Sequence, residues 1–323
     1  MSKKLLLLKL GSACNLACKH CHCKQIDYKF NPDIIAYIKE HNYTGITFSG
    51  GEPLLYLPLI TKILEEFKDT ISYRIVSNGT LLSNDIVALF NKYGVKYYIS
   101  YDGEKTSRDS TIPIKWEYFP DVISKGFATL YTPETSNFNE ILNDINKIRR
   151  DFRISAIPQL SHWINFPHQT HINSIDNITP DFVKEYIGIV AGLIEADFIS
   201  KKLGSGCVAD YAFNMWVRKR NVRGVRCCNE NKVSLAINGD FLLCPYDDIV
   251  VGNIYNGIDW DKVESYIPER CKNCPLWESC MNTCIANITE NECYISKVLH
   301  KHFYKLMDKY GYTYEQLEEL IKE

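Results

Sequence analysis

The 323-residue chain predicts an α/β fold followed by a smaller cysteine-rich part, on three observations. Over residues 1–200, short apolar runs rich in β-branched and aromatic residues alternate with helical stretches, the pattern of a parallel sheet with crossover helices. Six strands with crossover helices make an open, partial (β/α)6 TIM-like barrel rather than a closed ring of eight. From Gly204 onward the alternation stops and nine of the thirteen cysteines follow, which places a domain boundary near residues 197–206 and divides the chain into 1–200 and 201–323.

Composition narrows the function. The 37 basic and 39 acidic residues give 37 − 39 = −2, so neither nucleic acid nor an anionic membrane has an electrostatic claim as main partner. The odd cysteine count argues against a purely disulfide framework. The N-terminus carries only a short apolar run broken by Lys9, without a small-residue cleavage site, so a signal peptide is not expected. No apolar stretch approaches the ~18 residues of a spanning helix. These features predict a cytoplasmic protein whose cysteines are metal ligands.

The first strand is the run from Leu5 to Leu10. It leads into Cys14-Asn15-Leu16-Ala17-Cys18-Lys19-His20-Cys21, a C-x3-C-x2-C triplet. Three soft thiolates on one short loop suit three corners of a [4Fe–4S] cube and leave the fourth iron open. The competing readings are a zinc site completed by His20, His22 or Cys23, or free thiols on a surface loop.

Asn31-Pro32-Asp33 opens a helix with Ile34, Ile35 and Ile38 at helical spacing. A strand over residues 45–49 runs into Gly50-Gly51-Glu52-Pro53, where two glycines let the backbone approach a ligand closely. Read alone, this is an ordinary strand-to-helix turn. A helix over 57–67, a strand over 73–80 ending in small polar residues that include Asn78, a helix over 85–93 and a strand over 95–103 containing Ser100 follow. Asn78 and Ser100 fall at carboxyl ends of parallel strands, where such folds bind ligands; as bare local features they are turn caps. A strand over 127–131, a helix over 137–150 and a sixth strand over 152–157 complete the alternation. Residues 161–180 carry His162, Trp163, His168 and His171 without a regular ligand frame, which reads as a loop rather than a metal site. A helix over 179–196 closes the half.

In the C-terminal part, Cys228, Gly239 and Cys244 stand as C-x10-G-x4-C, followed by Cys271-x2-Cys274-x5-Cys280-x3-Cys284 and then Cys293. Seven thiolates exceed one tetrahedral site and suit two cubes. Cys271, Cys274, Cys280 and Cys284 alone would also make one all-cysteine zinc site. A helix over 293–310 carries the apolar stripe Val298, Leu299, Phe303 and Leu306, expected to pack over an outer cluster or, alternatively, to bind a partner.

The triplet, with His20 before its last cysteine, resembles the signature of the radical S-adenosylmethionine (SAM) enzymes. The resemblance implies a partial (β/α)6 barrel whose open iron chelates SAM, and reductive cleavage of SAM to methionine and a 5′-deoxyadenosyl radical that takes a hydrogen atom from the substrate. Gly50-Gly51-Glu52 is similar to the family turn that holds the SAM amino group, and the segments around Asn78 and Ser100 are similar to those that contact its ribose and carboxylate. Relatives carry a His-Asp pair and an Arg after the Ser-x-Asp-Gly segment, whereas this chain has Arg108-Asp109.

The seven-cysteine array resembles, position for position, the SPASM pattern of peptide- and protein-modifying members. By that resemblance Cys228, Cys244 and Cys284 bind an inner auxiliary cluster, and Cys271, Cys274, Cys280 and Cys293 an outer one. Cys207 and Cys227 are candidates for the inner cluster's fourth ligand, with Cys207 expected to serve. Gly-Gly commonly precedes the Cys284 position in relatives, where Asn282-Thr283 stands here.

The resemblance implies an enzyme that oxidises or crosslinks a ribosomally made peptide, with SAM and three [4Fe–4S] clusters. Its implied partners are a peptide or protein substrate and an electron donor such as flavodoxin or ferredoxin. With little chain before the first strand, leader recognition is expected from a separate protein or from direct binding of the core peptide. The alternatives are a formylglycine-type sulfatase maturase, a radical SAM enzyme acting on a small molecule, and a non-catalytic zinc or iron–sulfur binding protein.

Overall fold

The computed structural model describes residues 4–18, 21, 26, 28–104, 108–130, 138–154, 164–165, 179–201, 203, 208, 223–225, 228–245, 248–277 and 290–322. In its first half β1 (Leu5–Lys9), α1 (Asp33–Glu40), β2 (Gly45–Ser49), α2 (Leu57–Phe67), β3 (Ser72–Ser77), α3 (Asn84–Lys92), β4 (Lys96–Ser100), β5 (Lys125–Leu130), α4 (Phe138–Asp151), β6 (Ile164–Asn165) and α5 (Pro180–Ser200) succeed one another. Strands β1 to β6 lie side by side in sequence order and pair in parallel. The helices begin and end where local chemistry directs. Ser83 caps α3 by accepting from the Ile86 amide, and Thr179 caps α5 by accepting from Phe182.

The pleat sorts the sheet into two faces. Leu6, Ile46 and Tyr73 are register partners, as are Leu8, Phe48 and Ile75, and all are buried in one core with Ile60, Ile63, Ile86 and Phe90 of the helices. The opposite face carries Lys9, Thr47, Ser49, Arg74, Tyr98 and Ser100. Leu7 and Val76 share this face with the polar side chains, and Arg74 lies over the Tyr98 ring at 5.5 Å.

The second half adds β7 (Gly224–Val225), β8 (Cys228–Asn229), β9 (Lys232–Ala236), β10 (Asp240–Leu242), β11 (Val250–Asn253), β12 (Gly257–Ile258), α6 (Trp260–Ser265), α7 (Glu269–Lys272), α8 (Glu290–Tyr310) and α9 (Tyr314–Lys322). Strand β9 pairs in parallel with the free edge of β1, Leu5 opposite Lys232 through Lys9 opposite Ala236. The C-terminal strands therefore extend the barrel's own sheet, a connection that local sequence patterns do not announce.

Two expectations change. The apolar run 152–157 is not the sixth strand over its described part: Phe152 and Ile154 finish the tail of α4, the Ile154 amide donating to Arg149 O at 2.9 Å. The strand that pairs with β5 is β6, a two-residue element inside the stretch read as loop. The α8 stripe lies against α5. Leu299, Phe303 and Leu306 are buried, and the helix packs on α5, where Phe198 stacks on Tyr310 at 5.5 Å and meets Phe303 at 6.0 Å. Among the described residues no helix is long and apolar enough to cross a membrane.

Lys9, the charged end of β1, is almost fully buried. Its Nζ donates to Asp248 Oδ1 at 2.7 Å, and Tyr28 donates its hydroxyl to the same oxygen at 2.7 Å. Cutting the pair removes the charged partner of a largely buried carboxylate. Lys9→Met is therefore expected to destabilise the fold by about 2–3 kcal/mol, below the 3–5 typical of fully buried pairs because Asp248 still reaches water. Urea unfolding checks this.

Candidate active site

The cysteine loop leaves β1 at the carboxyl end of the sheet and is knitted to the 50–52 turn by main-chain bonds. Gly51 N donates to Gly11 O at 3.0 Å and Glu52 N to Ala13 O at 2.8 Å, while the Tyr56 hydroxyl accepts from Ala13 N at 3.2 Å. The glycine pair is required by this close approach. A Cβ on Gly51 would stand 2.3 Å from Ala13 O, and one on Gly50, at φ +146°, 2.3 Å from Gly11 O. In the structure the glycines admit the cysteine loop.

Glu52 is buried, with 1% of its surface exposed. Its Oε1 accepts from Leu54 N at 3.0 Å and the Ser77 hydroxyl at 2.8 Å, and its Oε2 from Asn78 N at 2.7 Å. Burial pushes its pKa up, against these bonds and the nearby Arg108, which favour the ionised form. The carboxylate thus ties the end of β3 to the turn after β2 and sets the position of Asn78. Asn78 Nδ2 donates to Asn15 Oδ1 at 2.8 Å and lies 3.9 Å from Cys14 Sγ, while its Oδ1 accepts from the amide and hydroxyl of Thr80. Asn15 in turn donates to the Thr80 hydroxyl at 2.8 Å.

On the far side of the loop stands the Arg108-Asp109 pair. Arg108 donates to the Ser100 hydroxyl and has Asp102 at 3.7 Å. Asp109 accepts from Ala17 N at 2.8 Å, and its own amide donates to Cys18 Sγ at 3.3 Å. Asn15, Thr80 and Asp109 are the residues that sequence reasoning did not assign. Their signal was proximity in sequence to Cys14, Asn78 and Arg108, which becomes informative only once the strands are aligned.

Cys14 and Cys21 are exposed and Cys18 half-buried. Burial raises the Cys14 and Cys18 thiol pKa values; the Leu16 amide opposes this at Cys14, and the Asp109 amide and Arg108 oppose it at Cys18. Among the described residues no three histidine, cysteine or carboxylate side chains close around a single ion. The alternative ligands His20, His22 and Cys23 lie outside the described residues, as do Cys207, Cys227, Cys280, Cys284, Asn282, Thr283 and the histidines 162, 168 and 171.

Strand β1 occupies one edge of β9; β8 and β10 also pair with β9, with Asn229 opposite Lys232 and Leu242 opposite Ser234. Cys228 immediately precedes Asn229 and Cys244 follows Leu242 by two residues, and both are buried, Cys228 within the apolar core. Cys271 and Cys274 share one turn, Cys274 N donating to Cys271 O at 3.1 Å, and Cys293 sits in the first turns of α8.

Residues 8–103 match the family model of the radical SAM superfamily. The chain carries a radical SAM domain. An uncharacterised protein of Methanocaldococcus jannaschii, MJ0907, is 36% identical over 111 residues, 31% of this chain and 39% of its own length. The radical SAM cyclopropyl synthase TigE of Paramaledivibacter caminithermalis is 23% identical over 88% of this chain and 68% of its own. The chain thus spans well under half of the first relative and about two thirds of the second. Among solved structures, anSMEcpe with bound AdoMet and the Cp18Cys peptide superposes with a TM-score of 0.65 at 15% identity, covering 95% of this chain and 98% of that one. Streptococcus suis SuiB bound to its precursor peptide SuiA gives 0.59 at 16% identity, over 88% and 72%. These likenesses give the chain its fold, a parallel-sheet TIM-like partial barrel.

The family implies SAM and a [4Fe–4S] cluster, and the donor set suits them. Three thiols share one loop, each close enough to raise another's pKa through its charge, and two polar partners, the Asn78 amide and the Asp109 N–H, approach their sulfurs.

Proposed function

We propose that the protein is a peptide-modifying radical SAM enzyme that oxidises or crosslinks a ribosomally made peptide. The observation that carries this reading is the placement of the Cys14/Cys18/Cys21 loop at the carboxyl end of β1, held to the Gly50–Glu52 turn with the Asn78 side chain and the Asp109 amide at its sulfurs. That the anSMEcpe and SuiB structures are peptide complexes supports a peptide as substrate class.

When bound, the cluster at the triplet supplies the electron that splits SAM and so generates the hydrogen-abstracting radical. Cys14, Cys18 and Cys21 hold that cluster. The backbone of Gly50 and Gly51, with Asn78 and Ser100, lines the place for SAM, and Glu52 fixes that lining from behind. In an oxidative crosslink the substrate loses two hydrogens, one as the abstracted atom and one as a proton and an electron. Cys228, Cys244 and Cys284, with Cys207 as fourth ligand, and Cys271, Cys274, Cys280 and Cys293 would hold two cubes, which would supply an acceptor for that electron. Residues 201–323 form that auxiliary domain, and the enzyme is cytoplasmic, served by a small electron-transfer protein such as flavodoxin or ferredoxin.

Anaerobic reconstitution is expected to give about twelve irons per chain, three cubes of four. Dithionite with SAM then yields 5′-deoxyadenosine. A stable content near four irons with two zincs defeats the auxiliary assignment and leaves a radical SAM enzyme of other substrate class.

A further inference from the structure

Asp109 belongs to no strand or helix, yet it touches the cysteine loop twice. Its carboxylate accepts from Ala17 N through Oδ2 and from Thr111 N through Oδ1, both at 2.8 Å, and its own amide donates to Cys18 Sγ at 3.3 Å. The neighbouring Arg108 is fixed to the end of β4 through the Ser100 hydroxyl and Asp102. The carboxylate therefore acts as a bracket. One oxygen holds the loop, the other holds its own turn, and the bracket presents one N–H to one sulfur.

The geometry points to Asp109 as a positioning residue that sets the reduction potential of the cluster held at Cys18, by keeping its own main-chain N–H on that sulfur. A donor to a cluster thiolate stabilises the reduced form, which carries one more negative charge, and so raises the potential. The donor here is main chain and survives any substitution except proline. What a side-chain change removes is the bracket that aims it. This inference rests on the cluster assignment above and on nothing about the substrate.

Charge is the confounding variable, because the carboxylate itself disfavours adding an electron nearby. Two charge-matched pairs remove it. Asp109→Asn and Asp109→Ala are both neutral, but only asparagine keeps an acceptor for the loop. Asp109 and Asp109→Glu are both anionic, but the longer side chain displaces the bracket.

The experiment is an EPR-monitored redox titration of the reconstituted cluster in the four proteins, without substrate or turnover. The auxiliary cubes serve as internal reference. At a poise fixed near the midpoint, the alanine variant is expected to show about a tenfold lower ratio of reduced to oxidised cluster than the asparagine variant, which is 59 mV for a one-electron step. The glutamate variant is expected to fall below the wild type in the same direction. Equal ratios within both pairs, or a higher ratio for alanine than for asparagine, overturn the bracket. If no cluster assembles at the triplet in the wild type, the functional reading itself fails, a result distinct from equal potentials in assembled proteins.

Discussion

Replacing Cys14, Cys18 and Cys21 together by alanine is expected to abolish cleavage of SAM to 5′-deoxyadenosine while about eight of the twelve irons remain, since two cubes of four would still be held. The reasoning is positional. The triplet sits on its own loop at the carboxyl end of β1, whereas Cys228 and Cys244 stand one residue before Asn229 and two after Leu242, which pair with Lys232 and Ser234 of β9. Losing the loop sulfurs leaves that pairing intact. Iron and sulfide analysis with product quantification by chromatography reads both halves of the expectation in one sample. Deoxyadenosine formation by the triple variant would falsify the assignment of the triplet, and loss of all iron would show that the sites are not independent.

Much of this arrangement was legible in the sequence because the barrel half writes its structure locally. Ile34 and Ile38, Ile60, Ile63 and Leu64, and Ile86, Val87 and Phe90 form stripes that each helix buries on its own. Strands β1 to β5 are runs long enough to be read against those stripes. The sixth was not. Ile164–Asn165 is two residues long and offers no period, while the apolar run beginning at Phe152 serves the end of a helix. The pairing of β9 with β1 joins residues more than two hundred positions apart, and no local signal distinguishes the partner of an exposed parallel edge.

The site shows the same division. Thiol spacing is what points to a metal-binding loop, since ligand geometry restricts spacing. The supports of that loop were not announced. Asn15 and Asp109 are ordinary loop residues until β3 and β4 bring Thr80 and Ser100 beside the cysteines. Glycines 50 and 51 were recognised as a place of close approach, but only the sheet register reveals that the chain Gly11–Ala13 approaches them.

Glu52 carries the second large expectation, and it concerns stability before it concerns SAM. Glu52→Ala removes the acceptor of Leu54 N, the Ser77 hydroxyl and Asn78 N in a site closed to water. A buried donor left without a partner costs about 1–3 kcal/mol, and the three together with the vacated space are expected to cost about 4 kcal/mol. Glu52→Gln keeps the volume but presents an NH2 where three donors converge, so one contact becomes donor against donor and a loss of about 2 kcal/mol is expected. Chemical unfolding without SAM or iron measures both. A carboxylate whose work is to hold a ligand would leave the ligand-free protein's stability unchanged on substitution. A loss of stability in that state, followed by weaker SAM binding in the surviving glutamine variant, identifies Glu52 as the residue that builds the SAM-facing turn from behind, by fixing Asn78 against Asn15 and the cysteine loop.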